Sequence, residues 1–121
     1  MKALVIDDSP IIRRILSLLL KRHNFHPITA SDGVQGLNLL ANNNEIRLAM
    51  VDWNMPKLNG LEFVTQVRSN PQYKDVKLMM VTARDTVKDI ETARSLGVDD
   101  FIMKPISKEI LAQKLRTHGL N

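Results

Sequence analysis

A chain of 121 residues, 44% hydrophobic and 25% charged, suits one soluble globular domain and leaves no room for a second. No apolar run approaches the roughly 20 residues of a membrane span, and the lack of cysteine excludes a disulfide framework or a thiolate metal site. The net charge of +4 is interleaved with acids and contains no basic run of the roughly 5–8 residues that marks a nucleic-acid patch, so neither nucleic acid nor membrane is expected as a direct partner.

The opening "MKALVIDDSP" is broken by acids after a short apolar run and is followed by no small-residue cleavage site. It reads as no export signal, and the expected setting is the cytoplasm. "KALVI" (2–6), too short for a helix, predicts a buried strand closed by Asp7 and Asp8. From Pro10 the apolar residues Ile11, Ile12, Ile15, Leu16, Leu18 and Leu19 recur at helical spacing. Arg13, Arg14, Ser17 and Lys21 lie on the other side, with Ser9 as cap. "FHPITA" (25–30) carries Pro27, which a central strand would not tolerate, and is expected at a sheet edge. A second helix follows Ser31 and Asp32 through Val34, Leu37 and Leu40 and ends in three asparagines.

"RLAMV" (47–51) is a third buried run, closed by Asp52, and "LEFVTQVR" (61–68) a third helix after Gly60. "VKLMMV" (76–81) makes a fourth strand ahead of Thr82. Val87, Ile90 and Ala93 give a fourth helix with a thin apolar stripe, stopped at Gly97. "DFIM" (100–103) is the fifth strand, and Ile106, Ile110, Leu111 and Leu115 mark the last helix. Five apolar strands alternating with five helices predict an α/β fold, a doubly wound parallel sheet covered on both faces.

Right-handed crossovers bring the carboxyl ends of all such strands to one edge of the sheet, where ligands bind. Asp7, Asp8, Asp52, Thr82 and Lys104 therefore converge there. Each has an ordinary reading alone: Asp8 as a helix cap, Asp52 as a turn residue, Thr82 as a cap three residues before Asp85, Lys104 as a solvated lysine. Their joint placement on one rim is the stronger signal. Three crowded carboxylates repel one another unless a cation neutralises them, and Mg²⁺, which takes few protein oxygens and bridges to phosphate, suits a shallow cluster. With Mg²⁺ on one side and Lys104 on the other, a carboxylate oxygen of Asp52 can attack a phosphoryl group.

The motifs "VIDDS", "VDWNMPKLNG", "MMVTAR" and "DFIMKP" resemble, in order and spacing, the receiver domains of two-component response regulators, above all CheY-like stand-alone receivers. The resemblance covers the chain as a single receiver domain, 1–121, and implies a flavodoxin-like strand order 2-1-3-4-5. It implies Asp52 as phosphoacceptor, Asp8 as a direct Mg²⁺ ligand, Asp7 as a ligand through water, and Asn54 as a ligand through its backbone carbonyl. Thr82 would hydrogen-bond the phosphoryl group and Lys104 pair with it, the peptide bond to Pro105 being cis. Thr82 and Phe101 would form the switch, Phe101 rotating inward without the hydroxyl of the tyrosine at this position in CheY. Trp53 follows the phosphoacceptor, as in CheY.

Arg84, two residues after Thr82, departs from CheY, which has an acid there. With Asn54 it flanks the path of the hydrolytic water, and a guanidinium cannot accept that water's hydrogen bond, so a longer-lived phosphoaspartate is expected. The implied partners are a histidine kinase or phosphotransfer protein as donor. A motor, kinase or relay protein would dock on the fourth helix, fifth strand and fifth helix of a monomer. The chain would be a signalling protein that takes and loses its own phosphate rather than an enzyme. Two rivals remain: a haloacid dehalogenase-type phosphatase, which would place its nucleophile in a D-x-D motif on the first strand, and a receiver-fold scaffold independent of phosphorylation.

Overall fold

The computed structural model describes residues 1–120. Strands β1 (Lys2–Ile6), β2 (His26–Ala30), β3 (Ile46–Asp52), β4 (Lys77–Thr82) and β5 (Asp100–Met103) form one parallel sheet in the order β2-β1-β3-β4-β5. Helices α1 (Pro10–Lys21), α2 (Gly33–Ala41), α3 (Gly60–Arg68), α4 (Val87–Leu96) and α5 (Lys108–Thr117) alternate with them, and a 3-10 turn over Pro71–Tyr73 precedes β4. β2, with Pro27, lies at an edge, where a missing N–H costs no central ladder bond.

The two-residue period of each strand divides the core in two. Leu4 and Ile6, Ala49 and Val51, Leu78 and Met80, and Phe101 join Leu40, Phe63, Val64, Val67 and Ala93 on the face covered by α2, α3 and α4. Ala3 and Val5, Leu48 and Met50, Met79 and Val81, and Ile102 join Leu16, Leu20, Leu111 and Leu115 on the face covered by α1 and α5. Both faces are buried, which is why the strands read as unbroken apolar runs.

The apolar stripes of the helices are wider in sequence than in the fold. On α1, Leu16 and Leu20 are buried and Ile12 and Leu19 partly so, but Ile11, Ile15 and Leu18 face solvent at 70%, 39% and 52% exposure. Val34, Val87 and Ile110 are likewise exposed. A helix lying on a sheet hides only an arc of its surface, so apolar residues outside that arc stay wet. Ile106 lies ahead of α5, whose cap is Ser107; it packs against the cluster containing Leu111, a contact that sets the chain's entry into the helix. Thr86, not Thr82, caps α4, its hydroxyl accepting from the Asp89 N–H, and Gly97 ends that helix at φ 112°.

Far from the carboxyl rim, Asp100 is buried beside the Lys114 ammonium (2.7 Å) and His118 Nε2 (2.8 Å). Burial alone would push its carboxyl up, but these two side chains and the Phe101 N–H outweigh it and hold it below the ordinary range. Asp100 thereby pins the last turns of α5 to the start of β5.

Candidate functional site

Register explains the cluster. Ile6 pairs with Val51, so the next residues, Asp7 and Asp52, stand side by side where β1 and β3 end. On the other flank Thr82 pairs with Met103, and the Lys104 N–H donates to the Thr82 carbonyl at 2.9 Å, extending the ladder by one residue. Asp7 and Asp52 continue the strand alternation on the α1/α5 side, whereas Thr82 continues it on the side that holds Phe101.

Asp7 and Asp52 are buried and Asp8 is exposed, and one carboxylate oxygen from each lies within 4.8 Å of the others. Lys104 Nζ sits between Asp7 Oδ2 and Asp52 Oδ1, 3.3 Å from each. Burial first, then the neighbouring Asp7 charge, pushes the Asp52 carboxyl above the ordinary carboxylate range, and Lys104 only partly opposes this. For Lys104 burial works against the charge, but the Asp52 and Asp7 carboxylates outweigh it and hold the ammonium above its ordinary range. Three carboxylates against one ammonium leave a deficit of two positive charges, which a divalent cation with a preference for oxygen would fill. The donor set therefore fits Mg²⁺.

Asp7 is the most firmly held of the three. Its Oδ1 accepts from the Ser9 N–H at 2.9 Å, and its carbonyl accepts from Arg13 Nη1 at 2.6 Å. By its spacing Arg13 belongs to the solvated side of α1. Nothing in the spacing distinguishes it from Arg14, and only the entry angle of α1 turns it back over the end of β1.

The loop after Asp52 is closed by Gly60, whose N–H donates to the Trp53 carbonyl at 2.9 Å. Asn59 caps α3 in a reciprocal arrangement with Glu62. Thr82 is buried, and its hydroxyl accepts from the Arg84 N–H at 3.0 Å. The Arg84 guanidinium lies 5.0 Å from the centre of the Trp53 ring and donates to Asn54 Oδ1 at 3.2 Å. Phe101 is already buried, with the Arg94 guanidinium 5.2 Å from its ring centre. The Lys104–Pro105 peptide bond is cis.

The family model of the response regulator receiver domain matches residues 3–116. The chain is 39% identical over 116 residues to a chemotaxis protein CheY homolog of Campylobacter jejuni, covering 95% of this chain and 89% of that protein. It is 36% identical to chemotaxis protein CheY1 of Helicobacter pylori, over 95% of this chain and 94% of the relative. Among solved structures, the chemotaxis response regulator CheY4 of Vibrio cholerae superposes with a TM-score of 0.90 at 30% identity, over 97% of each chain.

Proposed function

The chain belongs to the response regulator receiver domain family of two-component signalling, and on that premise we propose that Asp52 accepts a phosphoryl group from a histidine kinase or phosphotransfer protein. The observation that carries this reading is the rim itself: Asp7, Asp8 and Asp52 within 4.8 Å, with Lys104 between two of them. Mg²⁺ held by these carboxylates and the Asn54 carbonyl would supply positive charge to the phosphoryl oxygens. The Asp52 Oδ–phosphorus bond forms as the donor's phosphorus–nitrogen bond breaks, the electron pair going to the departing imidazole nitrogen, which takes up a proton from solvent. Lys104 pairs with an equatorial oxygen, and the Thr82 hydroxyl donates to another while still accepting from the Arg84 N–H. Ser9 and Lys104 hold the Asp7 carboxylate and Arg13 its backbone carbonyl, so Asp7 would offer the metal a fixed carboxylate.

The face of α4, β5 and α5 suits a partner-binding role, since Ile90, Arg94, Phe101, Met103 and Ile110 line an open groove of about 580 Å³ there. Thr82 and Phe101 on the same side of the sheet connect that face to the phosphoryl group. By this reading the protein is a signalling receiver and not a classical enzyme, it works in the cytoplasm as a monomer, and its output is in chemotaxis, as the names of its relatives suggest.

Incubated with acetyl phosphate and Mg²⁺, the protein should gain one acid-stable, base-labile phosphoryl group by intact-mass measurement, and EDTA should prevent it. Full uptake in EDTA would remove the metal from the reaction, and no uptake with Mg²⁺ would favour a phosphorylation-independent scaffold. A further expectation concerns decay. Arg84 flanks the water's path beside Asn54; its guanidinium offers the water no acceptor and would lie against the phosphoryl oxygens, crowding that path, so Arg84→Ala and Arg84→Glu should both lose phosphate faster than the wild type in excess Mg²⁺, by several-fold. Equal or slower decay would exclude Arg84 from the hydrolysis step.

A further inference from the structure

The Arg84 guanidinium joins two separate parts of the rim, the loop after Asp52 and the first turn of α4. It covers Trp53 and bonds Asn54, the two residues after Asp52, and its Nη1 lies 3.7 Å from Asp89 Oδ2 in the first turn of α4. An exposed pair at that distance is weak and exchangeable. Asp89 does not depend on it, because a carboxylate in a first turn is already favoured by the helix dipole, and its N–H is taken by Thr86.

Charge supplies the reason to exchange. Three carboxylates, one ammonium and a divalent cation balance, whereas phosphorylation replaces the single charge of Asp52 with roughly two, leaving the rim one positive charge short. We propose that Arg84 is shared competitively between Asp89 and the phosphoryl group, so that phosphorylation of Asp52 is passed to the start of α4 as the loss of the Arg84–Asp89 pair. This rests on Asp52 being the phosphoacceptor. Asp89 is then a brake: it holds Arg84 away from the phosphoryl group in the resting state, and its carboxylate is released when the signal arrives. Trp53, the chain's single tryptophan, lies under the moving guanidinium and reports the exchange.

The test uses beryllofluoride with Mg²⁺ as the phosphoryl mimic, titrated into the wild type, Asp89→Asn, Arg84→Ala and the double variant. Trp53 emission and melting temperature are followed together, so that affinity is still measured where the emission change is lost. Asp89→Asn should bind the mimic about threefold more tightly and Arg84→Ala about threefold more weakly, the scale of an exposed ion pair. The double variant should match Arg84→Ala, because Asp89 acts only through Arg84. Unchanged or weaker binding in Asp89→Asn, a tightening that survives in the double variant, or tighter binding in Arg84→Ala would each overturn the exchange. A wild type that shows no saturable response overturns the Asp52 reading itself and the exchange with it.

Discussion

Asp52→Asn is expected to abolish phosphoryl uptake and, in metal-free buffer, to raise the melting temperature. The first effect follows from chemistry: an amide oxygen does not act as the anionic nucleophile that the attack requires. The second follows from the neighbours. Burial and the Asp7 charge hold the Asp52 carboxyl above its ordinary range, so the unfolded chain gives up this proton more readily than the folded one. Below the unfolded value both states are protonated and there is no penalty. The penalty grows as pH rises through the raised folded value and is complete above it. Neutralising the residue at pH 7 should therefore stabilise the fold and raise the melting temperature, while the amide oxygen can still accept from Lys104.

The same substitution should give no gain near pH 3, where the wild-type carboxyl is also protonated in most unfolded chains. Mg²⁺ should reverse the order, raising the wild type more than the variant, since it binds only the folded rim. Thermal melts at both pH values with EDTA and with Mg²⁺, beside intact-mass measurement after acetyl phosphate, supply all four comparisons. Phosphoryl uptake at wild-type stoichiometry by Asp52→Asn would end the assignment of Asp52. A variant less stable than the wild type at pH 7 would show that Lys104 needs the Asp52 charge more than Asp7 repels it.

What could be read from the sequence follows a division between regular and irregular backbone. Strands and helices carry periodicity, and once five apolar runs alternate with five helical patterns, strand handedness alone sends Asp7, Asp52, Thr82 and Lys104 to one rim. Pro27 marked the edge strand because it lacks a donor. What periodicity does not carry is the angle at which a helix leaves its loop. The capping of α4 by Thr86 and the turn of Arg13 back to the Asp7 carbonyl depend on that angle. So do the contacts of Arg84 with Trp53, Asn54 and Asp89, which join residues from two loops and a helix. The Asp100–Lys114–His118 cluster is not legible in the sequence for another reason: residues 14 and 18 positions apart supply it, and none of the three residue types is unusual where it stands.

Gly60→Val should cost both stability and phosphoryl uptake, and the two losses have one cause. Gly60 is the first residue of α3, and a Cβ there would overlap the backbone carbonyl of Asp52, with Met80 Cε at 2.8 Å and Trp53 Cα at 3.0 Å. The methionine end can move, but the other two are the backbone that carries the phosphoacceptor and its neighbour, and α3 is tied to that backbone by the Gly60 N–H to Trp53 bond. Relief therefore requires α3 and the end of β3 to separate. The expected loss is about 3 kcal/mol, a melting temperature lower by roughly ten degrees. At temperatures where the variant is still folded, acetyl phosphate should label it more slowly, because the Asp52 carboxylate no longer sits against Lys104 and Asp7 at the distances the reaction uses. Gly36→Ala is the control. Its Cβ would press first on the Cδ1 of Ile6 and the ring of Phe63, both side chains that can shift, so it should lose less stability and keep wild-type labelling. If both glycine variants label normally once corrected for the folded fraction, the close approach of α3 to Asp52 is packing alone and has no part in positioning the phosphoacceptor.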